Sequence, residues 1–100
     1  GREYTFDDWY ELAENGDAKA QLIVGHCYFT GTAVTQNYRV AREWFYLAAL
    51  QGDAIAQLNL SFMYEHGIEM DIDKEEAEKW RWKSDHEGTW RPDLINFALR

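Results

Sequence analysis

The sequence predicts an all-α fold, a solenoid of paired helices, and three observations lead there. The tract Gly16-Asp17-Ala18-Lys19-Ala20-Gln21-Leu22 returns as Gly52-Asp53-Ala54-Ile55-Ala56-Gln57-Leu58, a shift of 36 residues. The same shift carries Tyr28 onto Tyr64, Gly31 onto Gly67, Ala41 onto Ala77 and Trp44 onto Trp80. Within each copy the apolar residues recur at helical spacing and stop at glycine. A period in this range marks units that bury their apolar faces only by stacking on neighbours, so the fold yields an extended surface rather than a catalytic pocket.

Each element follows from local chemistry. Residues 4–15 form an N-terminal capping helix: Thr5 and Asp8 open it, Trp9, Leu12 and Ala13 line it, and Asn15-Gly16 ends it. It resembles the second helix of an earlier repeat, offset by one residue from a strict shift. Repeat 1, residues 16–51, starts with Asp17 capping a helix whose Ala20, Val24 and Tyr28 share one stripe until Gly31. Asn37 caps its second helix, which turns Ala41, Trp44, Phe45 and Ala48 inward. Repeat 2, residues 52–87, copies this plan with Asp53, then Ala56, Leu60 and Tyr64, then Gly67. Asp73 followed by Glu76 predicts an acidic capping box ahead of Ala77 and Trp80. Residues 88–100 read as a C-terminal cap. Gly88 continues the Gly16 and Gly52 series, Trp90 and Pro92 break the pattern, and a last short helix from Pro92 would present Leu94, Phe97 and Ala98.

One hundred residues, 46% hydrophobic and 16% aromatic, make a single domain with an ample core. One cysteine, Cys27, excludes an intramolecular disulfide. No apolar run reaches the length of a membrane span, so membrane insertion is not expected. The charged amino terminus is not followed by the apolar core of a signal peptide, which leaves cytosol and periplasm both open. The net charge of −8 opposes nucleic-acid binding, which needs clustered Lys and Arg, and suits a basic protein partner. Between Glu65 and Glu78 seven acids stand against Lys74 alone, a local charge of −6.

Alanine, leucine, glycine and tyrosine at set spacing, a Gly-x-Gly-Val-like loop, Ala-x-x-Trp and a Gly-Asp-Ala restart resemble the Sel-1-like repeat family, relatives of tetratricopeptide repeats. The resemblance covers residues 16 to 88. It implies a right-handed α-solenoid of antiparallel helix pairs that acts as an adaptor or scaffold, without enzymatic activity. Bacterial members also include partner-neutralising and envelope-associated proteins. The chain departs from the pattern with Ala33 and Glu69 at the usual second loop glycine, Ser61 opposite Gly25, and Ser84-Asp85 opposite Ala48-Ala49.

Catalytic chemistry finds no footing. His26, Cys27 and His66 are the sole set that suggests a metal or a thiol nucleophile, but the histidines are not at equivalent positions and no second cysteine supports zinc. Asp71-x-Asp73-x-Glu75 has the outline of a calcium loop, yet its glycine position is Glu76, where a helix already runs. No phosphate loop or Ser-His-Asp ordering is present, and neither a cofactor nor a metal is expected.

Binding therefore carries the functional reading. On the first helices Ile23, His26, Cys27 and Phe29, then Ile55, Asn59, Phe62 and Met63, are apolar for solvent positions and form either inter-repeat core or an inner binding wall. Trp82 and its equivalent Tyr46 lie about 200° from the inward stripe and so face away from it. Glu69, Asp71 and Glu75 offer a steering surface for a basic partner. Three functions fit: a module holding a protein or peptide, a small acidic inhibitor or immunity-type protein neutralising a basic toxin or enzyme, and a self-associating piece of a longer scaffold.

Overall fold

The computed structural model describes residues 3–86, which form five helices, α1 Phe6–Glu14, α2 Ala18–Thr30, α3 Tyr38–Leu50, α4 Ala54–His66 and α5 Lys74–Asp85. No strand occurs among the described residues. The cap expected after Gly88, with Leu94, Phe97 and Ala98, lies outside them.

Every helix starts where a side chain takes the orphan amides of its first turn. Asp17 Oδ1 accepts from Ala20 N at 2.8 Å, Asn37 Oδ1 from Val40 N at 3.1 Å, Asp53 Oδ1 from Ala56 N at 2.8 Å and Asp73 Oδ1 from Glu76 N at 3.1 Å. Thr5 and Asp8 form a full reciprocal box. The box predicted at Asp73 is only half made, because the Glu76 carboxylate turns to Lys79 Nζ at 2.9 Å instead. Gly31 and Gly67 end α2 and α4 in the left-handed conformation at φ 77° and 62°.

Each helix packs on the next in chain order, giving an α-solenoid. Ala13, Ala20 and Val24 make the first buried layer, flanked by Trp9, Tyr10, Tyr28 and Trp44. The shift by 36 carries three of these positions into the second layer as Ala49, Ala56 and Leu60, where Ala41, Phe45, Ala48, Met63 and Trp80 join them. Trp80 is buried as expected, while Trp44 is half-buried at the first layer's edge. The strict shift extends into α1: Tyr10 meets Trp44 edge-on at 5.6 Å and Tyr46 meets Trp80 edge-on at 6.0 Å. No one-residue offset is needed there.

Buried glutamines tie the layers. Gln21 Nε2 donates to Ala13 O at 3.2 Å, and Gln57 Nε2 donates to Ala49 O at 3.0 Å. Gln51 Nε2 reaches back to Gln21 Oε1 and to Gly16 O, both at 2.9 Å. Gln57 Oε1 and the Trp80 indole Nε1 are buried without a partner among the described residues.

The departures at Ser61 and Ser84 have physical reasons. At Gly25 a Cβ would lie 2.7 Å from the Phe45 ring, so only glycine fits. The residue 36 beyond Phe45 is Arg81, and Ser61 uses the room to donate to Ala77 O at 2.7 Å. Ser84 Oγ donates to Ala54 O at 2.8 Å, so the two serines bond α4 and α5 from opposite sides.

Candidate protein-binding surface

The first helices of the two repeats, α2 and α4, carry matching outward stripes. The shift places Lys19, Ile23, His26 and Thr30 beside Ile55, Asn59, Phe62 and His66. On α4 these residues recur at i, i+4, i+7 and i+11 and cover about 16 Å of helix. Ile55 is 60% exposed and Phe62 49% exposed, and the Phe62 ring leans on His66 with centroids 4.4 Å apart. Leu58, exposed one position before Asn59, widens the patch, and the sequence reading had not singled it out. On α2 His26 and Lys19 are exposed and Ile23 is half-buried, so this half of the wall is more polar.

Two residues expected on the wall sit elsewhere. Met63 is 1% exposed and belongs to the second core layer, because its position on α4 faces Trp80 and Phe45 rather than solvent. Phe29 is half-buried against Tyr38 at 5.0 Å and Phe45 at 6.2 Å, which makes it a bridge between α2 and α3. Asn59 is half-buried between Ile55 and Phe62 on the α4 stripe.

The acidic stretch divides into two sets. Asp73 caps α5, Glu76 pairs with Lys79, and Glu65 pairs with Arg81 at 3.2 Å. Glu69, Asp71 and Glu75 are exposed and make no ion pair with another described residue. Glu69 holds φ 53° and lines a polar cleft of about 550 Å³ with Asn37, Tyr38, Arg39 and Glu43. Ala33, its counterpart after α2, holds φ 68°. Both stand in a conformation that costs a side-chain-bearing residue about 1–2 kcal/mol.

A second apolar patch lies on α3, where Tyr46, Leu47 and Leu50 are exposed. Tyr46 and Leu47 border a cleft of about 350 Å³ with Arg42, Glu43 and Tyr64. Tyr46 is thus both packed on Trp80 and open to solvent. The sequence signal for this patch was available, since Leu47 and Leu50 fall off the inward stripe of α3. Trp82, at the position equivalent to Tyr46, is half-buried and stacked on His86 at 3.9 Å.

Among the described residues two titratable groups are shifted from their ordinary values. Burial pushes the Cys27 thiol above its ordinary value, so it stays protonated at neutral pH. Burial, then the neighbouring Lys79 ammonium, pull Lys83 down, with Glu76 acting the other way. Among the described residues no three His, Cys, Asp or Glu side chains gather as metal ligands do. No helix there is long and apolar enough to cross a membrane.

Comparison with known proteins agrees with this geometry. The Sel1 repeat model matches residues 18–53 and 54–80. The chain is 31% identical over 72 residues to the ERAD-associated E3 ubiquitin-protein ligase component HRD3B of Arabidopsis thaliana, covering 72% of this chain and 12% of that protein. It superposes on the crystal structure of a Sel1 repeat protein from Oxalobacter formigenes with a TM-score of 0.79 and 29% identity, over 82% of this chain and 34% of the other. A protective antigen of uropathogenic Escherichia coli with the same repeat fold gives a TM-score of 0.57 and 28% identity, over 87% and 26% of the two chains. The chain thus spans a small part of the curated relative it matches, and with its two stacked copies of the repeat it belongs to the Sel1 repeat family.

Proposed function

We propose that this chain is a non-enzymatic module that holds a protein or peptide partner on the face built by α2 and α4. One observation carries the reading: Ile55, Leu58 and Phe62 stand exposed on one stripe of α4, in register with Ile23 and His26 on α2. Exposed apolar side chains gathered on one stripe of α4, with polar residues at the equivalent positions of α2, have the anatomy of a contact surface with a polar rim. Replacing Ile55 and Phe62 by Ser tests it. Affinity purification from the native host should lose its retained protein while the melting temperature stays within a few degrees. Equal retention by the double variant would move the site elsewhere.

The exposed trio Glu69, Asp71 and Glu75 favours a basic partner, which includes the inhibitor-like reading in which the module occludes a basic toxin or enzyme. Their neutralisation to Gln, Asn and Gln should slow association at low salt and change it little at high salt, because screening shortens the reach of charge. An unchanged on-rate at low ionic strength would leave the apolar wall as the sole determinant.

A further inference from the structure

The two layers differ at one aromatic position. In the first layer the Phe6 ring packs on both Tyr10 and Tyr28, with centroids 5.8 Å and 6.1 Å away. The 36-residue shift carries Tyr10 onto Tyr46 and Tyr28 onto Tyr64, but it carries Phe6 onto Arg42. The two tyrosines persist, and no phenylalanine joins them. A cleft of about 350 Å³ opens there, lined by Arg42, Tyr46 and Tyr64 together with Glu43 and Leu47. Tyr46 registers the difference: it is 45% exposed, whereas Tyr10, with the Phe6 ring beside it, is half-buried. Leu47 also adds exposed apolar surface where the first layer has Glu11.

We propose that this cleft binds an aromatic side chain presented by an extended, uncharged segment of a partner protein, the incoming ring taking the place that Phe6 takes one repeat earlier. The first layer identifies the occupant, because the equivalent pair of tyrosines already holds a phenylalanine ring there. Arg42 suits the same guest: its methylene stem is apolar wall, and its guanidinium is attracted to the face of an aromatic ring. Charge selects what flanks the ring. The cleft adjoins the polar one of about 550 Å³ that Arg39 and Glu69 line, Glu43 being common to both. The two clefts together carry the guanidinium groups of Arg39 and Arg42 and the carboxylates of Glu43 and Glu69. None of the four makes an ion pair with another described residue. That balance matches peptide main chain, whose carbonyls accept from arginine and whose amides donate to glutamate. A strongly charged segment of either sign would meet as many like charges as opposite ones. Ile55 and Phe62 do not line this cleft, so the inference stands apart from the proposed α2–α4 site.

An NMR titration of the whole chain with N-acetyl-phenylalanine amide tests it, with N-acetyl-alanine amide as the comparison. The expected result is saturable shifts at Arg42, Glu43, Tyr46, Leu47 and Tyr64 with the aromatic probe, and binding about tenfold weaker or less with alanine. The blocked peptide Gly-Ser-Phe-Ser-Gly should bind several-fold tighter than the single residue, because its main chain reaches Arg39 and Glu69. Arg42→Phe supplies the ring from within the chain, as the first layer does. It should weaken the aromatic probe about tenfold while raising the melting temperature, as filling a cleft does. Leu47→Glu copies Glu11 at an exposed position, so it should weaken the probe several-fold with the fold intact, and it keeps the test decisive should Arg42→Phe misfold. Ile55→Ser with Phe62→Ser should leave probe binding unchanged, which separates this cleft from the α2–α4 face. Absence of saturable shifts at the cleft residues overturns the proposal. So does equal binding of the two probes, or undiminished binding by Arg42→Phe and Leu47→Glu. Shifts at the same residues that grow with protein concentration in the absence of probe would give the cleft to a second copy and overturn it as well.

Discussion

Arg81 reaches Glu65 across the α4–α5 pair at 3.2 Å, in the two positions that Phe45 and Phe29 occupy one repeat earlier with rings 6.2 Å apart. An aromatic pair has become an ion pair. Phe45 is 1% exposed and fills the layer against repeat 2, whereas the Arg81 and Glu65 side chains are half open to water. The positions correspond and the energetics do not.

Phe45→Ala should therefore cost about 3–5 kcal/mol, as truncation of a fully buried ring does. Arg81→Ala should cost less than about 1 kcal/mol, since an exposed pair gains little in high dielectric. Thermal melts of the two variants check the contrast. Equal losses would mean that repeat 2 relies on Arg81 as repeat 1 relies on its phenylalanine.

Gly25→Ala should lose about 1–3 kcal/mol by forcing a methyl onto the Phe45 ring. In a Phe45→Ala background the same change should be far milder, because the obstructing ring is gone. Ser61→Ala should cost about 1 kcal/mol through the lost bond to Ala77 O. A double-mutant cycle by urea denaturation reads all three.

Ala33→Gly and Glu69→Gly should each raise stability by about 0.5–1 kcal/mol, the relief of a left-handed backbone less the added freedom of glycine when unfolded. Glu69→Ala is the control and should bring no such gain. A lower denaturation midpoint for both glycine variants would show that the loops draw more from those side chains than their backbone strain costs.

Alkylation of Cys27 in the folded chain should run several-fold slower at neutral pH than in the urea-unfolded chain. Its folded pKa is raised, so the fold favours the thiol. That contribution to stability is present below the unfolded value and is lost as pH rises through the folded one. A pH–rate profile with its inflection unshifted on folding would refute this.

Local features were the most legible in the sequence. Asp17, Asn37, Asp53, Asp73 and Thr5 each start a helix because capping depends on a few neighbouring atoms. The periodicity also located Ala20, Ala56 and Trp80 in the core. What could not be read there depends on third parties. Met63 and Phe62 are adjacent apolar residues on a helix apolar nearly all round, and only the arrival of α3 and α5 decides which is covered. The exposure of Leu47 and Leu50 on α3 is set in the same way, by which neighbouring helices reach that side of α3. Glu76 turned from its box because Lys79 offered a full charge one turn on.

The unequal glutamines set a direction for loss of structure. Gln21 has both ends of its amide engaged, while among the described residues the buried Gln57 oxygen finds no donor and the indole N–H of the core Trp80 finds no acceptor. Each such buried group costs about 1–3 kcal/mol, and in a linear stack that deficit is felt mainly by the layer that holds it. Opening should thus begin at α5 and progress toward α2, with the amides of α5 exchanging with solvent deuterium earliest and those around Val24 among the last. A partner gripping Phe62 would then be holding the half of the molecule that lets go first, and its binding would slow that release more than any change made near α1.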